Sequence, residues 1–118
     1  LVVDFWATWC DPCKSIMEFH NQYHQEYFKE GFKVLMINME RKGYLEKVKN
    51  FLEKNDFQFY VATDQNNALF NRFTKKEMPT AILVAKGGEV KWLRNGYITG
   101  DEVEMKNQIE ILLENSLE

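Results

Sequence analysis

The chain has 118 residues, 45% hydrophobic and 14% aromatic, which suits one compact domain with its own core and leaves too little for a second. Its net charge of −3, with basic residues scattered among acids, provides no basic stripe, so no nucleic-acid partner is expected. No apolar run approaches the roughly 18 residues of a membrane span, and the start lacks the charged head and cleavage site of a signal peptide. A chain that opens on Leu1 inside an apolar run, without Met, is expected to continue upstream in the natural protein.

Leu1 to Trp6 is rich in β-formers and reads as a strand covered on both faces. Pro12 suits a first helical turn, where its missing N–H costs nothing. Ile16, Phe19, His20, Tyr23 and Tyr27 then recur at helical spacing, predicting a helix that ends near Gly31 with this stripe on the sheet. Phe32 to Asn38 is the second strand, parallel to the first. Tyr44, Leu45, Val48, Phe51 and Leu52 mark a second amphipathic helix stopping near Asn55-Asp56, and Phe57 to Ala62 a third strand. A short helix over Asn67 to Phe73 is expected to turn Leu69, Phe70 and Phe73 inward. Thr80 to Ala85 and Glu89 to Arg94 read as a hairpin about Gly87-Gly88. Thr99 to Glu102 has capping-box spacing before a last helix that buries Met105, Ile109, Leu112 and Leu113.

Cys10 and Cys13 are the only cysteines and stand in Trp9-Cys10-Asp11-Pro12-Cys13-Lys14, between the first strand and the long helix. That placement reads as a redox dithiol. Orphan N–H groups and the positive end of the helix dipole favour a thiolate there, and the thiolate is the nucleophile. Cys10, outside the first turn, is expected to attack, and Cys13 to resolve the mixed disulfide. Zinc is the competing use of these thiols, with His20 and His24 as further ligands. The spacing opposes it, because two helical turns, about 10 Å, separate Cys13 from His20, whereas shared ligation needs bonds of roughly 2.0–2.3 Å. His20 is expected in the core-facing stripe, with His24 beside it.

Val2-Val3-Asp4-Phe5-Trp6-Ala7-Thr8-Trp9-Cys10-Asp11-Pro12-Cys13-Lys14 resembles the signature strand and active-site loop of the thioredoxin superfamily. The extra helix and strand over about residues 44–62 narrow the resemblance to thiol:disulfide oxidoreductases of the TlpA/ResA type. The fold so implied is an α/β thioredoxin fold: a mixed five-stranded sheet flanked by helices, with a central α-β insertion. Its sheet order would be inserted strand, second, first, Pro79 strand, last strand.

The same resemblance implies roles for further residues. Asp4 matches a buried acid beneath the dithiol, whose desolvation raises its pKa and fits it to take the Cys13 proton; the plainer alternative is an Asp at a sheet edge reaching water. Met78-Pro79-Thr80 matches a cis-proline loop facing the cysteines, with the Met78 backbone holding an extended client. Trp9 offers an apolar platform beside Cys10, and Gly96 keeps the groove open. Asp11 and Pro12 lie between the cysteines, where the Asp11 charge opposes the thiolate and favours reducing chemistry, with Lys14 pulling the other way. Two positions depart from the family, Glu18 standing where relatives carry Pro and Ile16 where they often carry Glu. Asp4 is expected to serve in place of that second acid.

The expected function is reduction of disulfides in extracytoplasmic proteins, with cytochrome c maturation among the settings. The Cys10-Cys13 disulfide would be the sole redox group, without metal or other cofactor. Protein thiols and disulfides would be the substrates, a membrane or thioredoxin-like protein the electron donor, and the chain a monomer. Two alternatives stand beside it. A peroxiredoxin-like peroxidase needs Thr or Ser three residues before its reactive Cys, where this chain has Ala7. A non-catalytic thioredoxin-like binding module has no need of the intact pair.

Overall fold

The computed structural model describes residues 1–64, 66–73 and 77–116. Strand β1 (Val2–Trp6) lies at the centre of a five-stranded sheet and pairs on both edges, parallel to β2 (Val34–Asn38) and antiparallel to β4 (Thr80–Val84). Strand β3 (Tyr60–Thr63) runs parallel to β2 at one edge, and β5 (Val90–Asn95) antiparallel to β4 at the other. The order β3-β2-β1-β4-β5 is the expected one. Pairing on both edges and burial of both faces explain the near-continuous apolar sequence of β1.

Alternation along the strands sorts residues between two apolar layers. Val2, Trp6, Val34, Met36, Ala81 and Leu83 face helices α1 (Asp11–Tyr27), α2 (Leu45–Asn55) and α4 (Asp101–Ser116). Phe5, Ile37 and Ile82 face the other way, where Phe70 of the short helix α3 (Ala68–Phe73) meets Phe5 edge-on, with ring centroids 5.4 Å apart. By this alternation Asp4 falls on the three-helix face.

Helix α1 ends in a 3-10 turn at Phe28–Glu30, closed by Gly31, whose φ of +90° suits glycine. Three expectations need correction. The inserted strand starts at Tyr60 rather than Phe57, because Asp56 turns left-handed and the Gln58 N–H goes to Asn21 Oδ1 at 2.6 Å instead of a neighbouring strand. Phe57 and Phe59 stack on each other and enter the core beneath α2. In α3 only Phe70 is partly buried; so short a helix presents one inward position, and Leu69 and Phe73 remain exposed. At α4 the Glu102 carboxylate accepts from the Gly100 N–H and the Tyr97 hydroxyl, not from Thr99, and Asp101 accepts the Ile98 N–H.

Candidate active site

The loop from Ala7 to Cys10 leaves the C-terminal end of β1 and enters α1 with Cys10 as N-cap. The Cys10 sulfur accepts the Cys13 N–H at 3.3 Å, so it meets one of the amides the first turn leaves unpaired. The two cysteines are joined as a disulfide, with Cα atoms 5.3 Å apart. Cys13 is fully buried and Cys10 slightly open, while Trp9 stands 64% exposed beside them. Asp11 and Pro12 occupy the first helical turn, and Lys14 Nζ lies 3.3 Å from the Asp11 carboxylate.

Sheet register brings the remaining expected residues to the same end. Phe5 pairs with Thr80 and Thr80 with Asn95, so Met78-Pro79 and Gly96 adjoin the segment that follows β1. The Met78-Pro79 bond is cis, the Gly96 N–H donates to Pro79 O at 2.7 Å, and Met78 packs on the apolar cluster containing both cysteines. Gly96 has φ of +77°, and a Cβ there would stand 3.0 Å from Glu77 Oε1.

Asp4 is fully buried in the central strand, which removes the sheet-edge alternative. Neither carboxyl oxygen has a well-aligned hydrogen bond, and the Phe5 N–H only weakly favours the charged form. Burial therefore dominates and pushes the Asp4 pKa up to about 8, against the pull of Arg94. His20 Nδ1 lies 3.2 Å from Asp4 Oδ2, and burial with Arg94 pushes the imidazole pKa down to about 3. Near neutral pH the imidazole is thus neutral and Asp4 is mostly in its acid form, with a minor carboxylate fraction. The Ile16 side chain is wholly buried and supplies no second acid.

Two residues of this region went unnoticed in the sequence. Glu40, just beyond β2, accepts from the Thr8 N–H at 2.6 Å, the Thr8 hydroxyl at 2.9 Å and Asn38 Nδ2 at 3.2 Å, tying down the loop that carries Cys10. The available signal was position: side chains just past parallel strands gather at a site built on their C-terminal ends. Arg94 shares a cross-sheet row with Asp4, the small Ala81 lying between them. The insertion adds one wall of an open cleft of about 500 Å3, where Tyr44 and Lys47 face Trp9, Glu40 and Arg41. His24 is committed elsewhere, its Nδ1 accepting the Val34 N–H at 3.0 Å. Among the described residues no three His, Cys, Asp or Glu side chains converge as a metal site, and no helix is long and apolar enough to cross a membrane.

The sequence matches the Redoxin family over residues 1–109. It is 33% identical over 103 residues to the thiol-disulfide oxidoreductase ResA of Geobacillus kaustophilus, covering 86% of this chain and 58% of that protein. Identity to ResA of Oceanobacillus iheyensis is 30% over 104 residues, covering 88% of this chain and 53% of that one. The chain therefore spans little more than half the length of these curated relatives. A crystal structure assigned as the thiol:disulfide interchange protein DsbE of Chlorobium tepidum superposes with a TM-score of 0.89 at 30% identity, covering 95% of this chain and 78% of that one. The chain belongs to the Redoxin family, in its thioredoxin-fold, ResA-like branch.

Proposed function

We propose that this single domain reduces disulfides of extracytoplasmic proteins by thiol–disulfide exchange. The observation that carries the reading is the Cys10-Cys13 pair at the N-terminus of α1, where the outer sulfur accepts a backbone N–H and the inner one is buried. In the reduced protein the Cys10 thiolate attacks a client disulfide, forming a mixed disulfide and releasing one client sulfur as thiolate. Asp4 in its carboxylate form, a minor fraction at neutral pH, takes the proton of Cys13, and the resulting thiolate attacks Cys10. The bond from Cys10 to the client breaks, the second client sulfur leaves as thiolate, and the new Cys10-Cys13 bond completes a two-electron transfer. Both client thiolates take protons from water or from Asp4.

Trp9, Met78, Pro79 and Gly96 form the client groove in this reading, and Asp11 with Pro12 tunes the dithiol. The dithiol is the only redox group; a membrane or thioredoxin-like donor restores it, and the chain works as a monomer. Relatives named thiol-disulfide oxidoreductase ResA, and the likeness to a structure assigned as the thiol:disulfide interchange protein DsbE, support the activity. Peroxidase chemistry is disfavoured by Ala7, a fully buried methyl where a peroxidase needs a hydroxyl. Insulin-disulfide reduction beside peroxide consumption separates the readings: reduction without peroxide turnover is expected, and the reverse overturns this one. With Cys13→Ser, client mixed disulfides should accumulate on Cys10, whereas Cys10→Ser should trap few. Equal trapping would overturn the division of roles.

A further inference from the structure

His20 is a wholly buried imidazole in a helical stripe that a leucine would fill, and the chemistry above makes no use of it. Burying a polar ring without strong partners is costly. Its ring nitrogens face three atoms: Nε2 lies 3.1 Å from Met105 Sδ, while Nδ1 is aligned on Met36 Sδ at 3.3 Å and also lies 3.2 Å from Asp4 Oδ2, which accepts no aligned hydrogen bond in this disulfide form. Thioether sulfur is a weak acceptor. The carboxyl of Asp4 is consequently the strongest partner within reach of the ring.

We propose that His20 is the positioning residue of the proton transfer: its Nδ1–H, aligned on Met36 Sδ in the disulfide form, turns to the adjacent Oδ2 of Asp4 in the reduced protein and leaves Oδ1 to take the Cys13 proton. The assignment rests on the role proposed above for Asp4. It fixes one tautomer, Nδ1–H toward the carboxyl and bare Nε2 toward Met105, and this tautomer serves both states of Asp4. In the acid form the proton sits on Oδ1 and Oδ2 accepts as a carbonyl oxygen; in the carboxylate form the same N–H stabilises the new charge. No proton leaves the imidazole, so the proton balance involves Cys13 and Asp4 alone.

Every element around the pair contributes a known group. From α1 comes Tyr23, whose hydroxyl is engaged with the Glu102 carbonyl of α4 at 2.7 Å. From β2 and α4 come the Met36 and Met105 thioethers, and from β4 the Ala81 methyl. From β5 comes Arg94, whose Nε donates to Gly96 O at 2.8 Å, while Nη1 and Nη2 are buried without hydrogen-bond partners. Its guanidinium carbon lies 5.6 Å from the Trp92 ring centre and 5.5 Å from that of Tyr97. Arg94 therefore acts on Asp4 and His20 through its field, and it favours a carboxylate beside a neutral imidazole.

The test uses the reduced wild-type protein and two variants. In wild type, the 13C shift of the Asp4 carboxyl and the 15N shifts of the His20 ring should change at one common pH, with Nδ1 protonated throughout. In His20→Leu the Asp4 midpoint should rise by about one pH unit, and resolution of a preformed Cys10 mixed disulfide should slow about tenfold at pH 7. The two proteins should converge above the higher midpoint. His20→Asn keeps an N–H at the position of Nδ1 and should retain most of the wild-type pH profile. His20 nitrogens that stay flat through the Asp4 transition overturn the proposal, in wild type alone and so even if the leucine variant fails to fold. An unchanged Asp4 midpoint in His20→Leu, with a slowing equal at every pH, overturns it too. If the wild-type protein exchanges no disulfides, the proposed function falls, while the two titrations still decide whether His20 holds Asp4.

Discussion

Glu40 grips Thr8 twice, one carboxylate oxygen taking the backbone N–H at 2.6 Å and the other the hydroxyl at 2.9 Å. The clamp joins the chain beyond β2 to the loop beyond β1, two residues before Cys10. A buried donor left without its acceptor costs about 1–3 kcal/mol. Glu40→Ala strands the Thr8 N–H and Asn38 Nδ2, so it should lower stability in urea unfolding by about 2–4 kcal/mol and broaden Trp9 fluorescence. Glu40→Gln still offers one oxygen to the amide, and its NH2 can donate to the Thr8 hydroxyl, so it should lose about 1 kcal/mol. Equal losses in both variants would show that the clamp does not hold the loop.

Asp4 makes stability depend on pH in a defined direction. Its folded pKa of about 8 exceeds the ordinary 3.8, so between those values the folded protein keeps a proton the unfolded chain has lost, and stability falls as pH rises. His20, lowered from 6.5 to about 3, works oppositely in the acid range, so the two largely offset until about pH 6.5. Above that only the Asp4 contribution remains, and stability should fall toward pH 8. Asp4→Asn should abolish this fall, stabilising the fold on the order of 3–5 kcal/mol at about pH 9 and little at about pH 4. Urea unfolding across this range checks it; a gain independent of pH would mean that Asp4 is not buried as an acid.

The Asp4 row also marks where sequence reasoning reached its limit. Local patterns were sufficient for β1, for the Cys10-Pro12-Cys13 helix start and for the stripe through Ile16 and Tyr23, because each is set by neighbours within a few residues. Arg94 was not legible as a partner of Asp4, since their common row depends on β4 lying between β1 and β5 and on Ala81 being small. Glu40 likewise acquires its role only when the ends of β1 and β2 come together. Phe57 misled for a related reason: an apolar residue before a strand looks like part of it until the Gln58 N–H finds Asn21 across the fold.

Asp11 is 91% exposed on its side chain and pairs with Lys14 at 3.3 Å, so its charge acts on Cys10 through water and is partly balanced. An interaction of that kind is worth about 0.2–1 kcal/mol. Asp11→His should therefore shift the equilibrium with glutathione toward the dithiol by about 1.4- to fivefold, and Lys14→Gln should shift it the other way. A shift toward the disulfide in Asp11→His would contradict the charge argument.

Gly96 is held left-handed at φ +77° and faces Glu77, so a methyl there has two distinct costs. The backbone cost, roughly 1–2 kcal/mol for an L-residue in this region, cannot be relieved while the Gly96 N–H stays bonded to Pro79 O. The steric cost can be relieved, because the Cβ would meet Glu77 Oε1 at 3.0 Å and that exposed side chain can swing aside. Gly96→Ala should lower stability by about 1–2 kcal/mol, and the double variant with Glu77→Ala should recover little of it. A displaced Gly96-Pro79 contact also moves one wall of the proposed client groove. Reduction of a protein disulfide should consequently fall more than reaction with a small disulfide that needs no groove. Full recovery in the double variant would make the Glu77 contact the controlling feature, and equal losses on both substrates would separate Gly96 from client binding.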